Sequence, residues 1–502
     1  MPSAIGIARM AAASRRIVSG GVTLVLGQVL TQGGAFVRNA LVARFIGNVN
    51  MGIAMTFAMT LALFEMVSNL NAEKLIIQAP DGDGEGFQRT VQLSQGLRGA
   101  LSALLVLLSA GFLADWFGVP EARWAFRWLA LIPLLKGFVH LDIHRVQRQL
   151  SFRQVVAVEG ASEILTLAAA WPLVLWIGDF SVMLWLVLLK AGLDLAGSHL
   201  VASRRYGWSW EGATMRRILA FGGPLLVNGL LMYGIFQGDR LIIASEESLF
   251  GEAAHTLADL GIYSVAFLLT FRPTWMLAKV SSSLFLPLLS EVQEEPRRFD
   301  ERYRICSQSL ALVGGWVCLL FLLTSGWLVA LIYGADYRAA SSVIGWLGAM
   351  QALRMIRVAP TIAAMARADT MNSMVSNLAR TAALIGVAMV AASGGSLAAI
   401  AACGFGGEAL ALVTCLARLR LVHRVPAAIV VRPLVVAAAC VAAALLVQPE
   451  AGHEWLPSLA LTAAFSLLLL GVLARLHPEL REGLRMLLRR RRGGLAAARE
   501  TG

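Results

Sequence analysis

Long apolar runs alternate with short polar connections along the whole chain. The runs fall at 17–37, 46–70, 98–118, 124–142, 155–177, 181–201, 218–244, 260–289, 306–333, 339–365, 371–392, 396–417, 429–447 and 456–476. A helix of about 20 apolar residues crosses the hydrocarbon core of a bilayer. The pattern therefore predicts an all-α integral membrane protein with about 14 transmembrane helices.

Composition supports this interpretation and excludes the soluble classes. The chain has 502 residues, of which 58% are hydrophobic and 15% charged, whereas a soluble domain is about 45–50% apolar and about 25% charged. The five cysteines lie within or beside apolar runs without a Cys-x-x-Cys spacing. They are therefore read as free thiols. Neither a metal nor a cofactor is expected.

The charge balance of +12 is informative mainly through its placement. Cations are concentrated in every second connection, which is the positive-inside pattern. The intervening connections at 245–260 and 448–457 carry acids and histidine but neither lysine nor arginine. An even number of spans with both termini in the cytoplasm satisfies this asymmetry. In such a chain the excess of cations indicates membrane topology rather than a nucleic-acid partner.

A weak internal repeat suggests two related bundles. Gly52-Ile53 and Gly261-Ile262 each open a long apolar run after a short polar connection, and repeated bundles are common in transporters. We expect five segments, which are an N-terminal lobe of six spans at 1–205, a cytoplasmic linker at 206–217, a C-terminal lobe of six spans at 218–420, two further spans within 421–480, and a basic cytoplasmic tail at 481–502.

Charged side chains inside the apolar runs are the candidates for function, because a charge at bilayer depth is costly and usually faces a polar cavity. Cations outnumber acids among them, and an arginine fork matches the oxygens of a phosphate. The predicted ligands of an anionic substrate are Arg38 (placed at the outer end of the first hairpin), Arg240, Arg272, Arg354 and Arg357. The predicted residues for ion coupling are Glu65, Asp194, Asp239 and Glu408.

Each of these candidates has a simpler structural alternative. Arg354 and Arg357 share a helix face and repel each other, so a bound anion between them is favoured. Asp239 and Arg240 are adjacent and should point to different faces, so that each needs its own partner. Lys190 and Asp194 are four residues apart and could simply neutralise each other. Lys136 and Lys279 could extend to the cytoplasmic interface.

One block of sequence carries a recognisable set of motifs. Its elements are Phe221-Gly222-Gly223-Pro224, then Asp239-Arg240, then Leu260-Gly261-Ile262-Tyr263-Ser264, and finally Phe285-Leu286-Pro287-Leu288-Leu289-Ser290. With this block the sequence resembles the polysaccharide transporter family. Its members are the oligosaccharide and O-antigen flippases of the multidrug/oligosaccharidyl-lipid/polysaccharide exporter superfamily.

The resemblance implies a MATE-like pair of lobes that opens alternately to the two faces of the bacterial inner membrane. The implied function is that of a flippase, not an enzyme. Its implied substrate is an undecaprenyl-pyrophosphate-linked repeat unit for exopolysaccharide or lipopolysaccharide O-antigen. Membrane lipids are the expected surroundings, and a polymerase and a chain-length regulator are partners through the resemblance alone. A cation-coupled multidrug antiporter is the alternative, although such a protein favours an acidic cavity.

Overall fold

The computed structural model describes residues 4–148, 151–447 and 454–481. Within these ranges the regular structure is entirely helical, so the predicted all-α membrane architecture is confirmed. Residues 448–453 of one predicted outer connection lie outside the described residues. The predicted basic tail also lies outside them, apart from its first residue.

Two compact units divide the chain, Met1–Gly261 and Ile262–Gly502. The helices of the first unit are α1 (Ala4–Ser68), α2 (Ala72–Gln78), α3 (Glu85–Trp116), α4 (Arg123–Leu129), α5 (Leu131–Gly137), α6 (Asp142–Arg148), α7 (Arg153–Ile177), α8 (Ser181–Val201), α9 (Gly212–Ala244) and α10 (Glu246–Phe250). The first residues of α11 (Leu257–Ser290) belong to the same unit.

The second unit contains the rest of α11 and seven further helices among the described residues. These are α12 (Pro296–Tyr333), α13 (Ser341–Ala366), α14 (Met371–Thr381), α15 (Ala383–Ala392), α16 (Leu397–His423), α17 (Ala428–Val447) and α18 (Trp455–Leu476). Helix α12 packs against α13, α17 and α18, and α13 packs against α16. Buried apolar side chains such as Phe299, Met355 and Leu416 fill this core.

Among the described residues, 11 helices are long and apolar enough to cross a membrane. This number is lower than the predicted count of about 14 spans for three reasons. The runs at 17–37 and 46–70 lie in one helix, α1. The run at 124–142 begins as two short helices, α4 and α5. The run at 339–365 corresponds to α13, whose mean hydropathy is lowered by Gln351, Arg354 and Arg357. The count of about 14 spans therefore stays a prediction.

Helix α1 is interrupted at one glycine. Its 65 residues would extend about 98 Å if they were straight, which is far more than the roughly 30 Å of hydrocarbon core. Gly47 adopts φ 77° and ψ 172°, a conformation that glycine reaches without a steric penalty. The break divides α1 into two parts, each of which is long enough to span the bilayer.

Within the first unit, the two repeat glycines meet. A Cβ atom on Gly52 would lie 1.9 Å from the carbonyl oxygen of Leu257, and one on Gly261 would lie 2.1 Å from that of Asn48. Such distances leave no space for any side chain. The beginning of α11 therefore packs directly on the backbone of α1, and only glycine permits this approach.

Candidate functional site

A buried cluster of four charges lies in the second unit. Glu408 on α16 is fully buried and is surrounded by arginines from two other helices. Its Oε1 lies 2.9 Å from Nε of Arg357. Its Oε2 lies 2.8 Å from Nε of Arg380 and 3.7 Å from Nε of Arg354. These contacts join α13, α14 and α16 around one carboxylate.

The cluster explains how the like charges of Arg354 and Arg357 can share one face of α13. The anion between them is a side chain of the protein itself, Glu408. Three arginines against one carboxylate nevertheless leave a net charge of +2. The four side chains thus bring more cationic than anionic groups to one place in the second unit.

Other polar and aromatic groups surround the arginines. Nη1 of Arg357 lies 3.4 Å from Oδ1 of Asn377, and the guanidinium of Arg354 lies 5.4 Å from the ring centre of Phe271 on α11. Gln351 is fully buried and precedes Arg354 by three residues, on the same side of α13. In the part of the chain that the structure describes, neither amide atom of Gln351 has a hydrogen-bond partner.

A second cluster lies within the first unit and is neutral. Nη1 of Arg38 donates to Oε1 of Glu163 over 2.9 Å, and both side chains are buried. Nζ of Lys190 lies 3.6 Å from Oε2 of Glu163 and 3.3 Å from Oδ2 of Asp194. Lys190 and Asp194 do neutralise each other, as the spacing suggested, but Glu163 connects them to Arg38. The two cations and two anions sum to zero.

Sequence reasoning missed Glu163 and misplaced Arg38. Arg38 lies within α1, nine residues before Gly47, which is about 14 Å along a helix, so it is not at the outer end of a hairpin. The available signal for Glu163 was that it is one of two acids in the first half of α7. A Cβ atom on Gly34 would lie 2.8 Å from Cγ of Glu163, so glycine at position 34 makes room for this side chain.

The remaining candidates lie elsewhere. Asp239 and Arg240 contact each other, with Nε of Arg240 3.8 Å from Oδ1 of Asp239. That each also has its own partner stays a prediction. The guanidinium of Arg240 also donates to the carbonyl of Phe236. Glu65 forms an ion pair of 2.9 Å with Lys136. The Lys136 side chain is therefore held by a carboxylate rather than extended alone to the interface.

On α11, Arg272 and Lys279 lie next to aromatic side chains of the second unit. Nζ of Lys279 lies 5.2 Å from the ring centre of Trp275. Arg272 is close enough to Tyr333 to interact with it electrostatically. Of the predicted substrate ligands, Arg354 and Arg357 share the cluster around Glu408.

The polar connection between α8 and α9 is folded back on the helices of the first unit. The backbone N–H of Ser203 donates to Oδ2 of Asp142 over 2.8 Å, and Arg145 donates to Oδ1 of the same carboxylate over 2.6 Å. Burial alone would raise the pKa of Asp142, but these hydrogen bonds outweigh it and hold the pKa below its ordinary value. No group of acids, histidines and cysteines suited to a metal occurs in the described ranges.

Comparison with known proteins gives a family and a fold. Residues 41–342, more than half of the chain, match the family model described as "Polysaccharide biosynthesis protein". No curated protein matches the sequence significantly.

Solved structures with similar folds are transporters. The lipid II flippase MurJ, in an inward closed conformation, superposes with a TM-score of 0.68 at 12% identity, over 91% of this chain and 99% of MurJ. A multidrug resistance MATE transporter of the MOP superfamily gives 0.62 at 12% identity, over 79% of this chain and 96% of its own. A Vibrio cholerae MATE transporter gives 0.52 at 14% identity, over 82% and 98%. At these identities the likeness establishes the fold, which is that of multi-pass membrane transporters.

Proposed function

Because this chain belongs to the polysaccharide biosynthesis protein family, we propose that it is a flippase for a lipid-linked oligosaccharide. The proposed substrate is an undecaprenyl-pyrophosphate-linked repeat unit of exopolysaccharide or O-antigen. The proposed location is the bacterial inner membrane, with both termini in the cytoplasm. A polymerase and a chain-length regulator would act on the product after transfer.

The observation that supports this proposal best is that three arginines approach the single carboxylate of Glu408. A pyrophosphate that joins a lipid to a sugar carries two negative charges, and guanidinium groups bind phosphate oxygens in paired hydrogen bonds. A cationic drug would be repelled by the same cluster. The charge therefore favours an anionic lipid headgroup over the cations typical of a multidrug antiporter.

The proposed mechanism is alternating access. The headgroup binds at Arg354 and Arg357 while the prenyl chain stays in the surrounding lipid. A rearrangement of two lobes at 1–205 and 218–420 then exposes the headgroup to the other face. The inside-negative potential favours outward movement of an anion, by about 2.3 kcal/mol per charge per 100 mV. The Arg38–Glu163–Lys190–Asp194 cluster is the proposed place for any coupling to protons or sodium ions.

The decisive experiment is mass spectrometry of lipid-linked oligosaccharides in a deletion strain with intact glycosyltransferases. The strain is complemented with the native gene, the R354A/R357A variant, or R298A as control. Arg298 is 67% exposed and lies outside the cluster. We expect one undecaprenyl-pyrophosphate oligosaccharide to accumulate in the deletion and in R354A/R357A, but not with the native chain or the control.

Two results would contradict parts of the proposal. Normal polymer output from R354A/R357A, at native protein abundance, would remove these arginines from the transport path. An unchanged lipid-linked pool in the deletion strain would favour the cation-coupled antiporter, whose fold the MATE structures share.

A further inference from the structure

We propose that Glu408 is an internal anion that the substrate's phosphate displaces, and that returns to the arginines when the substrate leaves. This inference rests on the proposed function, since it assumes that the arginines receive an anionic headgroup. It assigns to Glu408 a positioning role in place of the ion-coupling role expected from the sequence.

The geometry of the carboxylate supports this role. Oε1 of Glu408 lies 2.9 Å from both Nε and Nη2 of Arg357, and Oε2 lies 2.8 Å from Nε of Arg380. Both oxygens thus occupy positions on guanidinium groups where a phosphate oxygen would bind. A phosphate can reach these N–H groups fully only if the carboxylate moves away from some of them.

The charge ratio separates this cluster from a structural ion pair. The Arg38 cluster balances two cations with two anions. Around Glu408, three arginines approach one carboxylate. One internal carboxylate thus contacts all three guanidinium groups and holds the three helices together in the unloaded protein.

Gln351 supplies independent evidence that a ligand belongs here. Buried polar groups are nearly always hydrogen-bonded, yet both amide atoms of Gln351 lack a partner among the described residues. The side chain is fully buried and shares a face of α13 with Arg354. Its N–H group would be a neutral donor to a phosphate oxygen, beside the charged donors.

Displacement has a consequence that a purely structural carboxylate would not produce. If Glu408 competes with the phosphate, removal of its charge tightens substrate binding and slows release. We therefore expect Glu408→Gln to bind a prenyl diphosphate about tenfold more tightly and to transport more slowly than the native chain. If Glu408 only held the helices in place, the same variant would bind more weakly.

The test measures binding of farnesyl diphosphate to the purified full-length protein by isothermal titration calorimetry. Transport is measured in parallel by complementation of the deletion strain. Glu246→Gln is the matched control, because Glu246 is also fully buried but pairs with His255 in the first unit. We expect this control to leave farnesyl diphosphate affinity unchanged.

A second variant provides a control in case Glu408→Gln does not fold. Glu408→Gln leaves three buried arginines without a carboxylate, whereas R380Q/E408Q restores the native net charge of +2. The double variant should also bind farnesyl diphosphate more tightly than the native chain does. Equal or weaker binding by whichever variant folds overturns the displacement role but leaves the proposed function intact. Failure of the native chain to bind farnesyl diphosphate overturns the headgroup site and the displacement role together.

Discussion

The contact between α1 and the start of α11 gives a prediction that can be worked from one distance. In Gly52→Ala, the new Cβ atom would lie 1.9 Å from the carbonyl oxygen of Leu257. A normal carbon–oxygen contact is longer by more than 1 Å, and a backbone atom cannot rotate away as a side chain does. Overpacking of this kind costs typically about 1–3 kcal/mol. We expect a loss of stability near the upper end of this range, because the obstructing atom belongs to the backbone.

Gly33→Ala is the matched control on the same helix. A Cβ atom on Gly33 would meet nothing within 4 Å, so alanine there should stabilise the helix by about 0.5–1 kcal/mol. The assay is the apparent melting temperature of the purified protein in one detergent. Gly52→Ala should melt several degrees below the native chain, and Gly33→Ala at or above it.

The reciprocal substitution sharpens the test. In Gly261→Ala the Cβ atom would lie 2.1 Å from the carbonyl oxygen of Asn48, so both variants separate the same two backbones. Substitutions in direct contact are not additive. The double variant should therefore lose less stability than the sum of the two single variants. If the apparent melting temperature of Gly52→Ala equals that of the native protein and of Gly33→Ala, the close approach of the two helices is refuted.

Two further predictions concern buried and interfacial charges. Glu163→Gln leaves Arg38 buried without its carboxylate and should lower stability by about 3–5 kcal/mol. Addition of Arg38→Gln should recover part of the melting temperature, and a further fall would contradict the pairing. Asp142→Asn should speed hydrogen exchange of the Ser203 amide. Because the pKa of Asp142 is lowered by folding, its contribution to stability is present above the unfolded pKa and is lost as the pH falls through the folded pKa. The variant's exchange rate, corrected for intrinsic exchange, should not show this step.

Hydropathy was sufficient to predict the helices but not their pairing. Each predicted apolar run lies largely in helical structure wherever the structure describes it, because a membrane span must satisfy its backbone hydrogen bonds internally. Arg38 and Glu163 are 125 positions apart. Their contact depends on how α1 and α7 are rotated about their axes. A helix that is apolar on all sides gives little indication of that rotation.

The sequence was sufficient to predict the cations of the candidate site, but not the carboxylate that pairs with them. The i,i+3 spacing of Arg354 and Arg357 favoured a bound anion between them, whereas the structure places the carboxylate of Glu408 against both. No sequence pattern connects them with Glu408, since Arg357 and Glu408 are 51 positions apart on different helices. Arg380 had appeared equally suited to the membrane interface. Its place in the cluster follows from the packing of α14 on α16.

The contrast between the two charge clusters bears on what each is for. Apolar side chains of similar volume commonly stabilise a protein as well as a buried ion pair does, or better. Stability alone therefore gives no reason for either cluster, and least of all for one that keeps a net charge of +2. The Arg38–Glu163 cluster contains equal numbers of cations and anions. Under the proposal, the Glu408 cluster exchanges its carboxylate for the phosphate of the substrate, so its free energy depends on whether substrate is bound, as a carrier's binding site requires.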